Sequence, residues 1–292
     1  MILLTGASGF LGKAILSYYP KEVISLGRSG QKDIICDISK QIPELPIVDI
    51  VVHAAGKAHF LPKTEIERQM FFDVNVNGTK NLLKGLANNE VKPKSFIFIS
   101  SVSVYGKECG SNINEETSLE AKDAYGLSKI EAENLIQKWC IENNVICTIL
   151  RLPLIVGPNP PGNLGAMIKG IKRGYYLNIA GGKAKKSMVL DTDVADIIPF
   201  SAKIGGIYNL TDGYHPSFVE LSEVISAKFG KRKAFNIPRW FIYPIAKIGD
   251  LLGANFPINS SKLNKITADL TFDDKAARQK LNWNPRLVLK NI

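Results

Sequence analysis

A chain of 292 residues is long for one core and suits a large domain carrying a smaller one. Its 45% apolar and 22% charged residues are those of a folded globular protein, no run reaches the roughly 18 apolar residues of a membrane span, and Met1–Leu4 is too short for a signal peptide's apolar region. The chain is therefore expected to be soluble and cytoplasmic, with no membrane insertion, and its net charge of +10, spread without interleaved aromatics or a nucleic-acid motif, fits a solvated surface or a diphosphate-attracting cleft rather than nucleic acid as partner.

The first half alternates short apolar runs with longer helical patterns. Ile2–Leu4 reads as a strand that runs into Thr5-Gly6-Ala7-Ser8-Gly9-Phe10-Leu11-Gly12, with a helix over Leu11–Tyr19. Strand, three spaced glycines and helix together are the signature of a dinucleotide-binding turn. Gly6 allows the tight turn, Gly9 lets a pyrophosphate reach the backbone, and Gly12 lets helix pack on strand. The pyrophosphate then lies on the free N–H groups of a helix N-terminus, over Gly6, Ser8, Gly9, Phe10, Leu11 and Gly12. Val23–Leu26 is the second strand and ends in Gly27-Arg28-Ser29. An acidic residue there would hold the ribose 2′-OH of NAD; Arg28 instead suits the 2′-phosphate of NADP. Ile34–Cys36 is a third strand, after which Asp37 and Ile38 are placed to meet the adenine. Ile50–His53 is a fourth, with His53 read as structural or as part of the cofactor wall.

A helix is expected over Glu65–Asn88, then a strand over Phe96–Ser100 that ends in Ser101-Val102-Ser103. A hydroxyl at the carboxyl end of such a strand lies where open α/β sheets bind ligands. Tyr125-Gly126-Leu127-Ser128-Lys129 opens a helix that runs to Asn143. The four-residue spacing puts Tyr125 and Lys129 on one face, where an ammonium is expected to lower the phenol pKa. Ile146–Leu150 is a further strand. A Pro- and Gly-rich loop at 157–163 then breaks the pattern. Beyond it come a helix at Leu164–Arg173, a strand of the main sheet at Met188–Leu190, and helices at Phe218–Phe229, Arg239–Leu252 and Lys275–Leu281. Lys247 and Asp250 interrupt the apolar Arg239–Leu252 segment, which reads as a docked helix rather than a membrane-surface one. His59 and His215 read as loop or surface residues. The four cysteines lack metal-ligand spacing, and no metal is expected.

This βαβα order implies an α/β protein: a doubly wound Rossmann parallel sheet over 1–157, completed by about 186–210, with a smaller C-terminal substrate domain from 158–185 and 211–292.

On the Thr5–Gly12 loop, Val52-His53-Ala54-Ala55-Gly56, Asn75-Val76-Asn77-Gly78-Thr79, Ser101, Tyr125, Lys129 and the closing Leu281-Asn282-Trp283-Asn284-Pro285, the chain resembles the extended short-chain dehydrogenases/reductases, the family of nucleotide-sugar epimerases, dehydratases and reductases. The resemblance covers essentially the whole chain. It implies Ser101, Tyr125 and Lys129 as catalytic residues. It adds Ala54, Ala55, Asn75 and Pro153 to the cofactor contacts, with Tyr125 and Lys129 beside the nicotinamide ribose, and Ser101 and Ser103 to the substrate contacts. It also implies a homodimer through the helices Glu65–Asn88 and Tyr125–Asn143. The stretches Arg151–Asn163 and Lys265–Asp273 look most like a bacterial subgroup of UDP-sugar 4-reductases.

Two departures stand out. Leu154 replaces an asparagine that many UDP-sugar 4-epimerases aim at substrate phosphate, leaving Asn163 as substitute. Lys186 stands where an arginine often faces the diphosphate, and lysine offers a point charge rather than a fork. The expected activity is NADP(H)-preferring reduction of the 4-keto group of a UDP-sugar. The alternatives are a UDP-sugar 4-epimerase with tightly bound NAD and a non-catalytic NADP(H)-binding sensor, against which the intact Ser, Tyr and Lys set argues. Val102-Ser103 after Ser101 lacks the acidic pair that a dehydratase places there.

Overall fold

The computed structural model describes residues 1–58, 60, 62–252 and 259–292, so His59 lies outside the described residues. β1 (Ile2–Thr5) enters the glycine loop and α1 (Phe10–Tyr18), followed by β2 (Val23–Gly27), β3 (Ile34–Ile35) and β4 (Ile50–His53). The expected Glu65–Asn88 helix is divided into α2 (Glu65–Phe72), a π-helical turn at Asp73–Asn77, and α3 (Gly78–Ala87). The turn carries Asn75, whose amide is bonded outside the helix, and π-turns are common where a helix must present such a residue. β5 (Ser95–Ser101), β6 (Gly110–Ile113), α4 (Ala124–Glu142), β7 (Ile146–Leu152) and β8 (Leu154–Val156) complete the first half.

The central sheet has seven parallel strands. Its seventh is β11 (Gly206–Asn209), which follows α5 (Gly162–Arg173), β9 (Leu177–Ile179), β10 (Met188–Leu190), α6 (Asp191–Asp196) and α7 (Ile198–Ile204). The strand order is β11-β7-β5-β4-β1-β2-β3, with helices on both faces. Alternate residues serve the two faces. Ile2, Leu4, Ile97, Ile99 and Leu150 pack under Leu11 and Ile15 of α1 and Val194 and Ile198 of α6 and α7. Leu3, Val51, Phe96, Phe98 and Ile149 pack under Leu82 and Leu86 of α3 and Ile136 of α4. Burial on both sides is why β1 and β5 read as unbroken apolar runs, without an exposed residue.

Met188–Leu190 is a strand, but it does not join this sheet as expected. It pairs with β8 in a separate two-stranded ribbon, Met188 opposite Leu154 and Leu190 opposite Val156. The chain leaves the main sheet at Pro153, which has no N–H to donate to a ladder.

The rest of the chain is α8 (Phe218–Lys228), β12 (Phe235–Ile237), α9 (Arg239–Leu252), α10 (Ser260–Thr267), β13 (Leu270–Phe272), α11 (Lys275–Lys280) and α12 (Val288–Asn291). β12 pairs with β9, and β13 with β6. The reading of Arg239–Leu252 as a docked helix holds for one face only: Ile242 and Ala246 pack with Leu263 and Ile237, while Trp240, Phe241, Ile248, Leu251 and Leu252 are exposed.

One polar cluster sits inside the apolar interior. Glu133 of α4 and Arg151 of β7 are 1% and 3% exposed and form a two-pronged ion pair, with contacts of 2.7 and 3.2 Å. Ser100 donates to Glu133, and Arg151 donates to the Tyr105 hydroxyl at 3.1 Å. Tyr105 donates to Asn209, whose amide reaches the Ile113 and Asp273 carbonyls. Removing one partner leaves a buried charge alone. Arg151→Met is therefore expected to cost about 3–5 kcal/mol in urea unfolding, and adding Glu133→Leu to recover most of it. Additive losses in the double variant would count against a compensated pair.

Candidate active site

In a parallel sheet all strands end on one edge, and this order lines up Pro153, Ser101, Ala54, Gly6 and Arg28 across it, after β7, β5, β4, β1 and β2. The order in which successive strands are laid down reverses between β1 and β4, the kind of switch point where open α/β sheets hold ligands.

The glycine loop has the shape of a cradle that side chains would fill. A Cβ on Gly6, at φ +73°, would lie 2.6–2.7 Å from the backbone of Ala54 and Ala55. One on Gly12 would lie 2.1 Å from the Gly6 carbonyl. Gly9 caps α1 without a side-chain hydrogen bond, and no acidic residue stands in the first turn. The N–H groups at this helix start therefore have no competing anion, and the residues fit a pyrophosphate. Ser8 and Gly9 are exposed and Phe10 is partly so, while Leu11 turns its side chain into the core. Arg28 is exposed just past β2, with no carboxylate beside it in sequence. Asp37 bonds the N–H and hydroxyl of Ser39, and Ile38 is buried against α3.

Of the two roles read for His53, structural or cofactor wall, its side chain takes the structural one, because the imidazole is wholly buried and cannot itself line the cleft. Thr79 donates its hydroxyl to the Asn75 carbonyl at 2.6 Å, so at 2.9 Å it accepts from Nε2–H of His53. Nδ1 then accepts from Thr5, 2.7 Å away, and Thr5 accepts from the Ala55 N–H. Every polar atom is satisfied by the neutral ring, and burial pushes its pKa down to about 3. His53 thus shapes the Ala54-Ala55 turn from beneath.

Ser101 ends β5 and caps the 3₁₀ turn Val102–Tyr105, with its oxygen accepting the Ser103 N–H at 3.2 Å and its hydroxyl 3.1 Å from that of Ser103. Asp123 caps α4 and sets Tyr125 in its first turn. Gly126 lets that turn come close, since a Cβ there would be 2.5 Å from Ala121 and 2.9 Å from the Ser103 carbonyl. Lys129 is buried, donates to the Ile99 carbonyl at 2.8 Å and lies 4.4 Å from the centre of the Phe98 ring. Burial lowers its pKa to about 8, while the Glu133 carboxylate works the other way. The expected lowering of the Tyr125 pKa by Lys129 is not found. Burial pushes the phenol up, and the Ser101 hydroxyl opposes it.

Asn75 is buried and ties three segments together. It accepts from Lys57 N–H at 2.7 Å, and donates to the Lys57 carbonyl and, at 2.9 Å, to Ser128. Gly56 sits against Asn75 and Lys129, within 3.2–3.3 Å of where its Cβ would be. Glu133 escaped the sequence reading, although it continues the four-residue spacing of Tyr125 and Lys129, and Gly56 and Gly126 entered it only as members of longer motifs.

The remaining expected contacts, Pro153 to the cofactor and Ser103, Asn163 and Lys186 to the substrate, are more scattered. Ser103 and Pro153 are half-buried beside the strand ends, and Asn163 is exposed in the first turn of α5. The Lys186 ammonium is turned to the carbonyls of Ala268, at 2.9 Å, and Lys265, at 3.3 Å, which satisfy it within the protein. His215 is a half-buried loop residue 2.9 Å from the Ser187 hydroxyl. A cavity of about 770 Å³ between α5 and α8, with Lys169, Lys172 and Lys228 on its wall, includes none of Ser101, Tyr125 and Lys129.

Comparison with known proteins matches residues 2–210 to the model of the NAD dependent epimerase/dehydratase family. A UDP-glucose 4-epimerase of Vibrio cholerae is 26% identical, covering 99% of this chain and 92% of the relative. A GDP-6-deoxy-D-mannose reductase of Pseudomonas aeruginosa is 27% identical, covering 77% of this chain and 79% of the relative. Among solved structures, RMD from Pseudomonas aeruginosa complexed with NADPH superposes with a TM-score of 0.74 at 21% identity, covering 100% and 96% of the two chains. The likeness is one of fold.

The neutral His53 makes a signed prediction. Between its folded pKa of about 3 and its ordinary 6.5, the unfolded chain binds a proton that the folded one refuses. Its contribution is complete above pH 6.5 and is lost as pH falls toward 3, at about 1.4 kcal/mol per pH unit. Urea unfolding from pH 7 to 4 is expected to steepen by one proton in the wild type relative to His53→Gln. Parallel curves would mean that His53 is charged in the fold.

Proposed function

This chain belongs to the NAD dependent epimerase/dehydratase family, and from that premise we propose that it reduces the 4-keto group of a UDP-sugar with NADPH. The observation that carries the reading is the placement of the Tyr125 phenol in the first turn of α4, beside the Ser101 hydroxyl at the end of β5 and one helical turn before Lys129. A protonated phenol is equipped to give a proton to a carbonyl oxygen as it becomes an alcohol. Leu154, where many UDP-sugar 4-epimerases have an asparagine toward substrate phosphate, supports reduction over epimerisation.

The dinucleotide, when bound, supplies the hydride to C4. Tyr125 gives the C4 oxygen its proton, and Ser101 donates a hydrogen bond to that oxygen and orients it. Lys129, buried and charged at neutral pH, stabilises the phenolate left behind and holds the nicotinamide ribose. Arg28 and the absence of a carboxylate at the end of β2 support NADPH over NADH, and the NADPH complex of the Pseudomonas structure is consistent with it. Asn163 at the start of α5 is assigned to the substrate diphosphate. Lys186 joins it only by exchanging its two carbonyl contacts for the phosphate. We further propose that residues 158–185 and 211–292 act as the substrate-binding unit.

A second reading, 4-epimerisation with retained NAD, is favoured by the Vibrio relative, which matches 99% of this chain. It uses the same residues. The two are separated by incubating the purified protein with UDP-sugars and 4-keto-UDP-sugars. One NADPH consumed for each sugar reduced supports the reductase, and interconversion without net cofactor loss supports the epimerase. Turnover of no sugar despite tight cofactor binding would sink both and leave a sensor. Tyr125→Phe is expected to lower kcat by roughly 10²–10⁴-fold. Arg28→Ala should raise KM for NADPH more than for NADH. Because Lys129 loses its proton as pH rises through about 8, kcat/KM should fall above that pH; a flat profile there would argue against a charged Lys129.

A further inference from the structure

We propose that α9 is an interfacial helix by which this protein lies on the surface of an anionic phospholipid bilayer. The proposal does not rest on the reading of the cleft.

At 100° per residue, the side chains of α9 sort into three strips. Ile242, Ala246 and Gly249 fall within about 60° and are the buried residues that dock the helix, against Leu263, Ile179 and Ile237. Opposite them, Trp240, Phe241, Ile245, Ile248, Leu251 and Leu252 spread over about 140°. All six are exposed, Trp240 to 74% and Leu251 to 88%. Arg239, Tyr243, Lys247 and Asp250 fill the strip between. A helix docked by one face normally turns polar residues to water on the other, and an apolar surface of this extent marks a contact. The surface continues onto the ribbon beside it. Phe235 and Leu177 face each other across β12 and β9, on the same face as Ile237 and Ile179, and both are exposed.

Charge selects the occupant. From Val224 to Gly249 the chain carries Lys228, Lys231, Arg232, Lys233, Arg239 and Lys247 and no acidic residue, and of these Lys233 pairs with Glu223 and Lys247 with Asp250 at the two ends of that stretch. Apolar aromatic and aliphatic side chains flanked by cations are what a helix lying in an anionic headgroup layer presents. A second copy of this chain fits less well. A 14-residue helix is about 21 Å long, and one face of it offers far less than the roughly 800 Å² per partner of a stable interface. It would also bring two basic strips together. Among the described residues no helix is long and apolar enough to cross a membrane, so the contact is peripheral.

The chain carries a built-in probe. Of its three tryptophans, Trp139 and Trp283 are buried and Trp240 is exposed. The test is flotation of the full-length protein with vesicles of phosphatidylcholine alone or mixed with phosphatidylglycerol, with tryptophan emission read in parallel. Flotation with the phosphatidylglycerol vesicles, a blue shift and weakening by salt are expected. Ile248→Asp with Leu251→Asp should cut vesicle binding by roughly ten-fold or more and abolish the shift. Because both side chains are exposed, thermal unfolding should be unchanged. Lys231→Glu with Arg232→Glu should weaken binding without touching the apolar face. A protein that floats with neither vesicle, or equally with both, overturns the proposal. So does a dimer in sedimentation velocity that the Ile248→Asp, Leu251→Asp variant splits.

Discussion

The ion pair between Glu133 and Arg151 is the constraint on which the rest of the fold depends. Neither charge has access to water, so each requires the other and the hydrogen bonds around it. Those bonds run through Ser100 on β5, Tyr105 after it, and Asn209 on β11, and reach the backbone at Ile113 and Asp273. A helix, three adjacent strands and the end of the β6–β13 ribbon must therefore be in place together, or a charge is left bare. Apolar contacts alone would let α4 slide on the sheet by small repackings; a two-pronged guanidinium–carboxylate pair has one geometry. Because Glu133 lies one helical turn after Lys129, the same pair sets the rotation of the helix that carries Tyr125 and Lys129. The Glu133 carboxylate also supports the charge of Lys129 against its burial.

On the other side of the sheet's midline the anchoring is neutral. Thr5, His53 and Thr79 form a closed chain of hydrogen bonds that joins β1, β4 and α3, and through the Ala55 N–H it fixes the turn that faces Gly6. Asn75 does the same for Lys57 and Ser128. The cleft is thus lined by short backbone turns held from below. That construction suits a site that must grip a long dinucleotide through its backbone, since few side chains have to move to admit it. The two anchors meet at Gly56, packed against both Asn75 and Lys129.

Much of this was legible in the residues because it rests on local pattern. Strands buried on both faces are largely apolar, so Ile50–His53 and Ile146–Leu150 announce themselves. The Gly6, Gly9 and Gly12 spacing is dictated by contacts within a single loop. What escaped depends on partners far apart in the chain. Met188–Leu190 has a strand's composition, but composition does not name its neighbour, and Pro153 sends it to β8 rather than to the main sheet. His53 read as either structural or part of the cofactor wall, and only Thr79, 26 positions on, decides for the structural role of its ring. Lys186 was given to a phosphate because its satisfying carbonyls, on Lys265 and Ala268, lie about 80 residues away. The Tyr125 pKa followed burial rather than the neighbouring lysine, and burial is a property of the assembled site. Glu133 was the clearest missed signal. A carboxylate four residues beyond Lys129 on a buried helix face needs a cation, and Arg151 inside an apolar strand was the only kind of residue that could answer it.

Helix α9 shows the limit from the opposite direction. Hydrophobic periodicity says that a helix has an apolar face; it does not say how many such faces, or what covers each. Arg239–Leu252 has two, separated on one side by Arg239, Tyr243, Lys247 and Asp250, and the protein covers only the narrower one. Inside the sheet, charge is buried and held by bonds reaching across the fold; on α9, apolar surface is exposed and bordered by charge. Each reverses the ordinary partition of residues, and each is costly unless something is fixed by it. For Glu133 and Arg151 the object fixed is the helix that carries the proposed catalytic residues. For α9 the described residues offer none, and the proposed partner lies outside the chain.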